Sequence, residues 1–264
     1  MKTWTKQQVF TYICLFVLLA GRLLVADIIS NFLQLFHAPA PPESWAVGIR
    51  LIQAWISYTL FFNWSFILVG IVIIVNRNDL QSLNIDGAFT AIFAASSLTY
   101  WTYYRWPSGW IALLIPFAMY IFYKRQEFRF TKIEQNAGRI TMIVVIGFFL
   151  SLLFIKDSLT IKRILSVTHF IATEVPFVLI EEVLFRGLLW KFLAHLDWSA
   201  PKIVGLQAFL FWLSHSSFMF TNPIIFWIIL PIFSILLGII VWRSKSITVS
   251  CYAHMFYNFF SAIY

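Results

Sequence analysis

The segment VLIEEVLFRGLLW, residues 178–190, sets Glu181, Glu182 and Arg186 inside an otherwise apolar run. Two further polar interruptions fall in apolar surroundings: Phe211 and His215 in FWLSH, and His254 and Asn258 in HMFYN. A carboxylate, two imidazoles and an amide suffice to activate a water and stabilise an oxyanion. Helix geometry divides the first group. Glu182 and Arg186, four apart, lie about 40° around a helix and about 6 Å along it, within reach of a salt bridge. Glu181 lies about 140° from Arg186 and cannot easily share that pair. Glu181 is therefore the candidate reagent, and Glu182 with Arg186 the support. Phe211 with His215, and His254 with Asn258, each share one helical face. Three helices can thus gather Glu181, His215, His254 and Asn258 around one interior cavity.

Other chemistries are less well served. The sequence contains no strong serine or cysteine nucleophile motif and no His-Glu-x-x-His zinc helix. Two histidines and a glutamate can hold zinc with an open fourth position, but these residues lack a short ligand spacing. On the residues alone, both a zinc site and a site without metal or cofactor stay open. Glu174 sits seven residues before Glu181, about 20° off the same stripe and about 10 Å along the axis. It could line the substrate approach, tune Glu181, or pair with a neighbouring helix.

The elements that must position these groups are membrane helices. The chain has 264 residues, 61% hydrophobic and 11% charged, with a mean hydropathy of +0.82. A soluble domain carries about twice that charged fraction. Apolar runs fall near 9–34, 50–75, 87–104, 107–123, 140–155, 163–193, 201–220, 223–242 and 246–263. A span needs about 20 apolar residues, so the expected fold is all-α, a polytopic transmembrane bundle of eight or nine helices. The first run has no small-residue cleavage site and reads as a retained helix rather than a signal peptide. HAPAPPESW, NRNDLQSLNID and KRQEFRFTKIEQNAGR read as loops.

The net charge of +8 reflects loop placement rather than nucleic-acid binding. With nine spans and a cytoplasmic N-terminus, twelve Lys and Arg fall inside (Lys2, Lys6, Arg77, Lys124, Arg125, Arg129, Lys132, Arg139, Lys191, Lys202, Arg243, Lys245). Four fall outside: Arg105, Lys156, Lys162 and Arg163. Cys14 and Cys251 read as small apolar residues. Within the spans, Arg22 and Asp27 read as structural partners of other helices or as interface groups. His37 and His195 read as loop or helix-end residues, and His169 has no assigned role. Ionisable groups at membrane depth face the bundle interior and mark function by default, and most of them lie in the C-terminal half.

EEVLFRG at 181–187, Phe211 with His215, and His254 with Asn258 resemble, in order, three motifs of one family. These are the Glu-Glu-x-x-x-Arg, Phe-x-x-x-His and His-x-x-x-Asn motifs of the CPBP intramembrane proteases, which include type II CAAX prenyl endopeptidases and bacterial Abi proteins. The resemblance covers residues 140–264 as a catalytic helical core, with 1–139 as additional transmembrane helices of one integrated domain. It implies a metal-free, glutamate-dependent endopeptidase in which Glu181 activates the water with help from His215. It also implies that His254 and Asn258 hold the oxyanion while Glu182 and Arg186 stabilise the site. The implied partner is a membrane-associated protein or peptide, lipidated or bearing a C-terminal sorting tail; the compact chain points to the bacterial cell membrane, with a eukaryotic organellar or plasma membrane as the alternative. A non-enzymatic immunity or scaffold protein, and a small proton-coupled transporter using Glu174, Glu181 and Glu182, are the alternatives. No half-sequence symmetry of the transporter kind is visible.

Overall fold

A computed structural model describes residues 4–25, 58–90, 92–93, 96 and 174–263. Their helices are α1 (Lys6–Val25), α2 (Tyr58–Val75), α3 (174–195), α4 (Ala200–Leu213), the single turn α5 (Phe218–Thr221), α6 (223–244) and α7 (Ile247–Ile263). No strand occurs among the described residues. The expected runs 107–123 and 140–155, most of 87–104, and Asp27, His37 and His169 lie outside them.

Among the described residues, two helices are long and apolar enough to cross a bilayer, Lys6–Leu24 and Ile225–Ser244. Each divides its apolar residues between two faces. On α6, Ile224, Ile228, Ile232 and Leu236 recur every four residues and are exposed, while Leu230, Leu237 and Val241 are buried. An outward apolar stripe of this kind suits lipid, and the inward one suits neighbouring helices. Small residues let α4 and α6 approach: a Cβ added at Gly238 would meet Val204 Cγ1 at 3.1 Å. Ser234 Oγ donates to the Ala208 carbonyl at 3.2 Å. On α1, Thr11, Leu15, Leu18 and Arg22 are buried at steps of four, three and four, which is one helical face.

α3 is the central helix. Its residues 178–191 are all buried, and α1, α4, α7 and the 3-10 turn Leu80–Leu83 pack on it. Between Val183 and Leu188 the helix widens into a π segment, a local feature frequent at functional sites. There Leu189 N donates to the Leu184 carbonyl, one residue further than in an α-helix.

The stretch after α2, expected to be a polar loop, instead runs into the bundle: Leu83, Asn84 and Ile85 are buried. Its backbone polar groups need partners there: Asn84 N and Ile85 N donate within the turn, to the Gln81 and Leu80 carbonyls at 3.0 and 3.1 Å. Asn84, in the left-handed region at φ 54°, donates through Nδ2 to the Arg186 carbonyl at 3.2 Å. Its own carbonyl accepts from Ile247 N at 2.8 Å. Asp86 accepts from Phe89 N, which opens the next helical turn, and from the hydroxyls of Ser246 and Thr248. At the far end of α3, Lys191 donates to Asn76 and Asp79 at 3.1 and 3.2 Å. Asn76 in turn donates to Thr11 at 3.0 Å, closing a polar knot between α1, α2 and α3.

Gly187 is where this loop meets α3. A Cβ there would lie 3.1 Å from the Leu83 carbonyl oxygen, a backbone atom with little room to give. Gly187→Val is expected to lower stability by about 1–3 kcal/mol through overpacking. The check is thermal unfolding in detergent micelles, where an unchanged midpoint would contradict this packing.

Candidate active site

Glu181 and Glu182 are the last two residues of the regular part of α3 before its π segment. Glu182 is fully buried and is the hub of the site. Its Oε1 accepts from Arg186 Nη1 at 3.2 Å and contacts His254 Nδ1 at 2.9 Å, and its Oε2 accepts from Ser250 Oγ at 2.6 Å. The expected ion pair with Arg186 therefore forms, but it is not closed. A carboxylate only accepts, so His254 presents Nδ1–H to Glu182 and turns Nε2 the other way. Nε2 lies 3.8 Å from Glu181 Oε2.

His215 approaches the opposite oxygen. Its Nε2 is also 3.8 Å from Glu181, at Oε1. The sequence places His215 on the helix of Phe211, but α4 ends at Leu213 and His215 stands in the turn beyond it. The two residues stay coupled because the last carbonyls of a helix lack intrahelical donors. Nδ1 of His215 donates to the Phe211 carbonyl at 2.8 Å.

Phe211 does more than mark a motif. Its ring carries the Arg186 guanidinium at 4.3 Å, a cation–π contact between two wholly buried side chains. It also meets the His215 ring at 4.5 Å and the His254 ring, edge-on, at 5.5 Å. Asn258 follows His254 by one turn of α7 and is half-buried, as is Glu174 at the start of the described part of α3.

Two participants were not placed at the site by the sequence: Ser250, and Arg22, which read only as a structural partner of other helices or an interface group. Ser250 lies four residues before His254, as Asn258 lies four after, so one face of α7 carries all three. Arg22 comes from α1: its Nη2 donates to Glu181 Oε1 at 2.6 Å and lies 3.3 Å from His215 Nε2. Its step of four from Leu18, on the stripe of Thr11 and Leu15, was the available signal. Among the described residues, two guanidiniums thus bond to two carboxylates here. Among the described residues no three His, Cys, Asp or Glu side chains stand in metal-holding geometry.

Residues 162–260 match the family model of Type II CAAX prenyl endopeptidase Rce1-like proteins. This match over 99 of the 264 residues supports membership of the CPBP family. The matched segment contains Glu181, Glu182, Arg186, Phe211, His215, Ser250, His254 and Asn258. It begins later than the core expected from the motifs, and α1 with Arg22 lies outside it. No curated protein and no solved structure matches the chain. The matched family is one of membrane proteases, with which the apolar helices are in keeping.

Proposed function

We propose that the chain is an intramembrane endopeptidase that hydrolyses a peptide bond in a membrane-associated or lipidated protein tail, with Glu181 activating the water. The observation that carries this reading is the Glu181 carboxylate standing between two imidazole Nε2 atoms, each 3.8 Å away. Glu181 takes a proton from the water while His215 Nε2, whose lone pair is exposed by the Nδ1–H bond to Phe211, accepts its other hydrogen. The water oxygen attacks the scissile carbonyl carbon. His254 and Asn258 receive the oxyanion; in that role His254 Nε2 carries a hydrogen, and Glu182 at Nδ1 compensates the charged ring, as a carboxylate does in a triad. Collapse breaks the C–N bond, and the leaving nitrogen takes the proton from Glu181.

The same reading puts eight or nine spans in the bacterial cell membrane with a cytoplasmic N-terminus, supported by the Lys and Arg distribution. Residues 1–139 supply further transmembrane helices to the one domain. The test is mass spectrometry of membrane proteins from cells carrying the active protein or Glu181→Gln. A species shortened at its C-terminus only with the active protein is expected. Identical C-termini in both would reject the reading.

A further inference from the structure

Arg22 stands outside the family-matched segment and on a helix that none of the motifs includes, yet its guanidinium touches the reactive pair. The Phe211 carbonyl can only accept, so His215 Nδ1 carries the ring hydrogen and Nε2 offers a lone pair. One Nη2 nitrogen therefore gives one hydrogen to Glu181 Oε1 and the other to His215 Nε2. It bridges the two groups that the hydrolase reading assigns to the water. Arg186, the other guanidinium, is bonded to Glu182, and an uncompensated carboxylate at membrane depth is costly.

We propose that Arg22 is a positioning residue of the active site: it is the counter-ion of the Glu181 base and fixes that carboxylate opposite His215, which makes α1 part of the catalytic unit. This rests on the hydrolase reading above. The two contacts differ in kind. The 2.6 Å bond to Glu181 joins opposite charges, while the 3.3 Å contact reaches a neutral ring. Charge-assisted bonds are the stronger class, so the entering water replaces the contact to His215 and the ion pair to Glu181 persists.

The test uses the full chain in nanodiscs with an internally quenched prenylated CAAX peptide, comparing wild type, Arg22→Gln, Arg22→Lys, Glu181→Gln and the Arg22→Gln/Glu181→Gln double variant. Arg22→Gln is expected to lower kcat about a hundredfold and to leave KM within about threefold, because the interaction supports the base rather than substrate binding. A single Nη2 makes both contacts, so a lysine ammonium can stand in, and Arg22→Lys should recover at least about a tenth of wild-type kcat. The double variant should be no slower than Glu181→Gln. Wild-type kcat in Arg22→Gln, a loss confined to KM, or no recovery in Arg22→Lys would overturn the proposal. Full cleavage by Glu181→Gln would instead overturn the hydrolase reading. Thermal unfolding of the same variants needs no substrate: Arg22→Gln should lower the midpoint, and adding Glu181→Gln should restore part of it. Additive losses would rule out the ion pair.

Discussion

Glu182→Ala is expected to lower the stability of the protein by about 3–5 kcal/mol, the typical cost of stranding one partner of a buried ion pair. Arg186 is wholly buried, and its Nε and Nη2 have no hydrogen-bond partner among the described residues. Among the described residues its compensation comes chiefly from Glu182, bonded to Nη1, and from the Phe211 ring. Removing Glu182 also deprives Ser250 and His254 of their acceptor, so His254 loses the group that orients it. Cleavage should fall with stability. Pairing the change with Arg186→Met removes the stranded charge and should recover part of the loss, since an apolar replacement of a whole buried pair is often tolerated. Activity should stay low in that double variant because His254 remains unheld. Chemical unfolding in detergent, with peptide cleavage measured alongside, checks both. A double variant less stable than Glu182→Ala would contradict the pairing.

Glu181→Gln is expected to reduce cleavage by about 10²–10⁴-fold, the range that a positioned general base contributes. The amide keeps the shape of the side chain and still accepts from Arg22, but it cannot take a proton from water. Arg22 is then a buried guanidinium facing an uncharged group, so some loss of stability accompanies the loss of activity. The rate comparison therefore belongs to monodisperse, inserted protein. Substrate affinity should change little, because the carboxylate acts on the water rather than on the bound tail.

Spacing within one helix made several of these contacts readable in advance. The Glu182–Arg186 bond is an i,i+4 pair, and it survives the π segment. The convergence of Glu181, His215 and His254 followed from polar residues that an apolar span does not otherwise tolerate. Contacts between distant segments were not readable that way. Arg22 and Glu181 are separated by 159 positions, and no local period says which helix faces which. Ser250 was hidden for the opposite reason: a serine in a helix has many ordinary explanations, such as bonding its own backbone. The inward turn of Leu83–Ile85 was masked by the polar residues around it, because burial there depends on what α3 and α7 offer as partners. His215 was expected on α4; it caps the end of that helix instead, with its ring still turned to Glu181.

The central claim is that water, activated by Glu181, cleaves a peptide bond. Purified protein in nanodiscs, given a prenylated CAAX peptide in heavy-oxygen water, tests it most directly. The account predicts that the new C-terminal carboxylate of the product carries the heavy isotope with wild-type protein, and that Glu181→Gln of equal insertion and monodispersity yields little or no product. Labelled product formed at the wild-type rate by Glu181→Gln would contradict it.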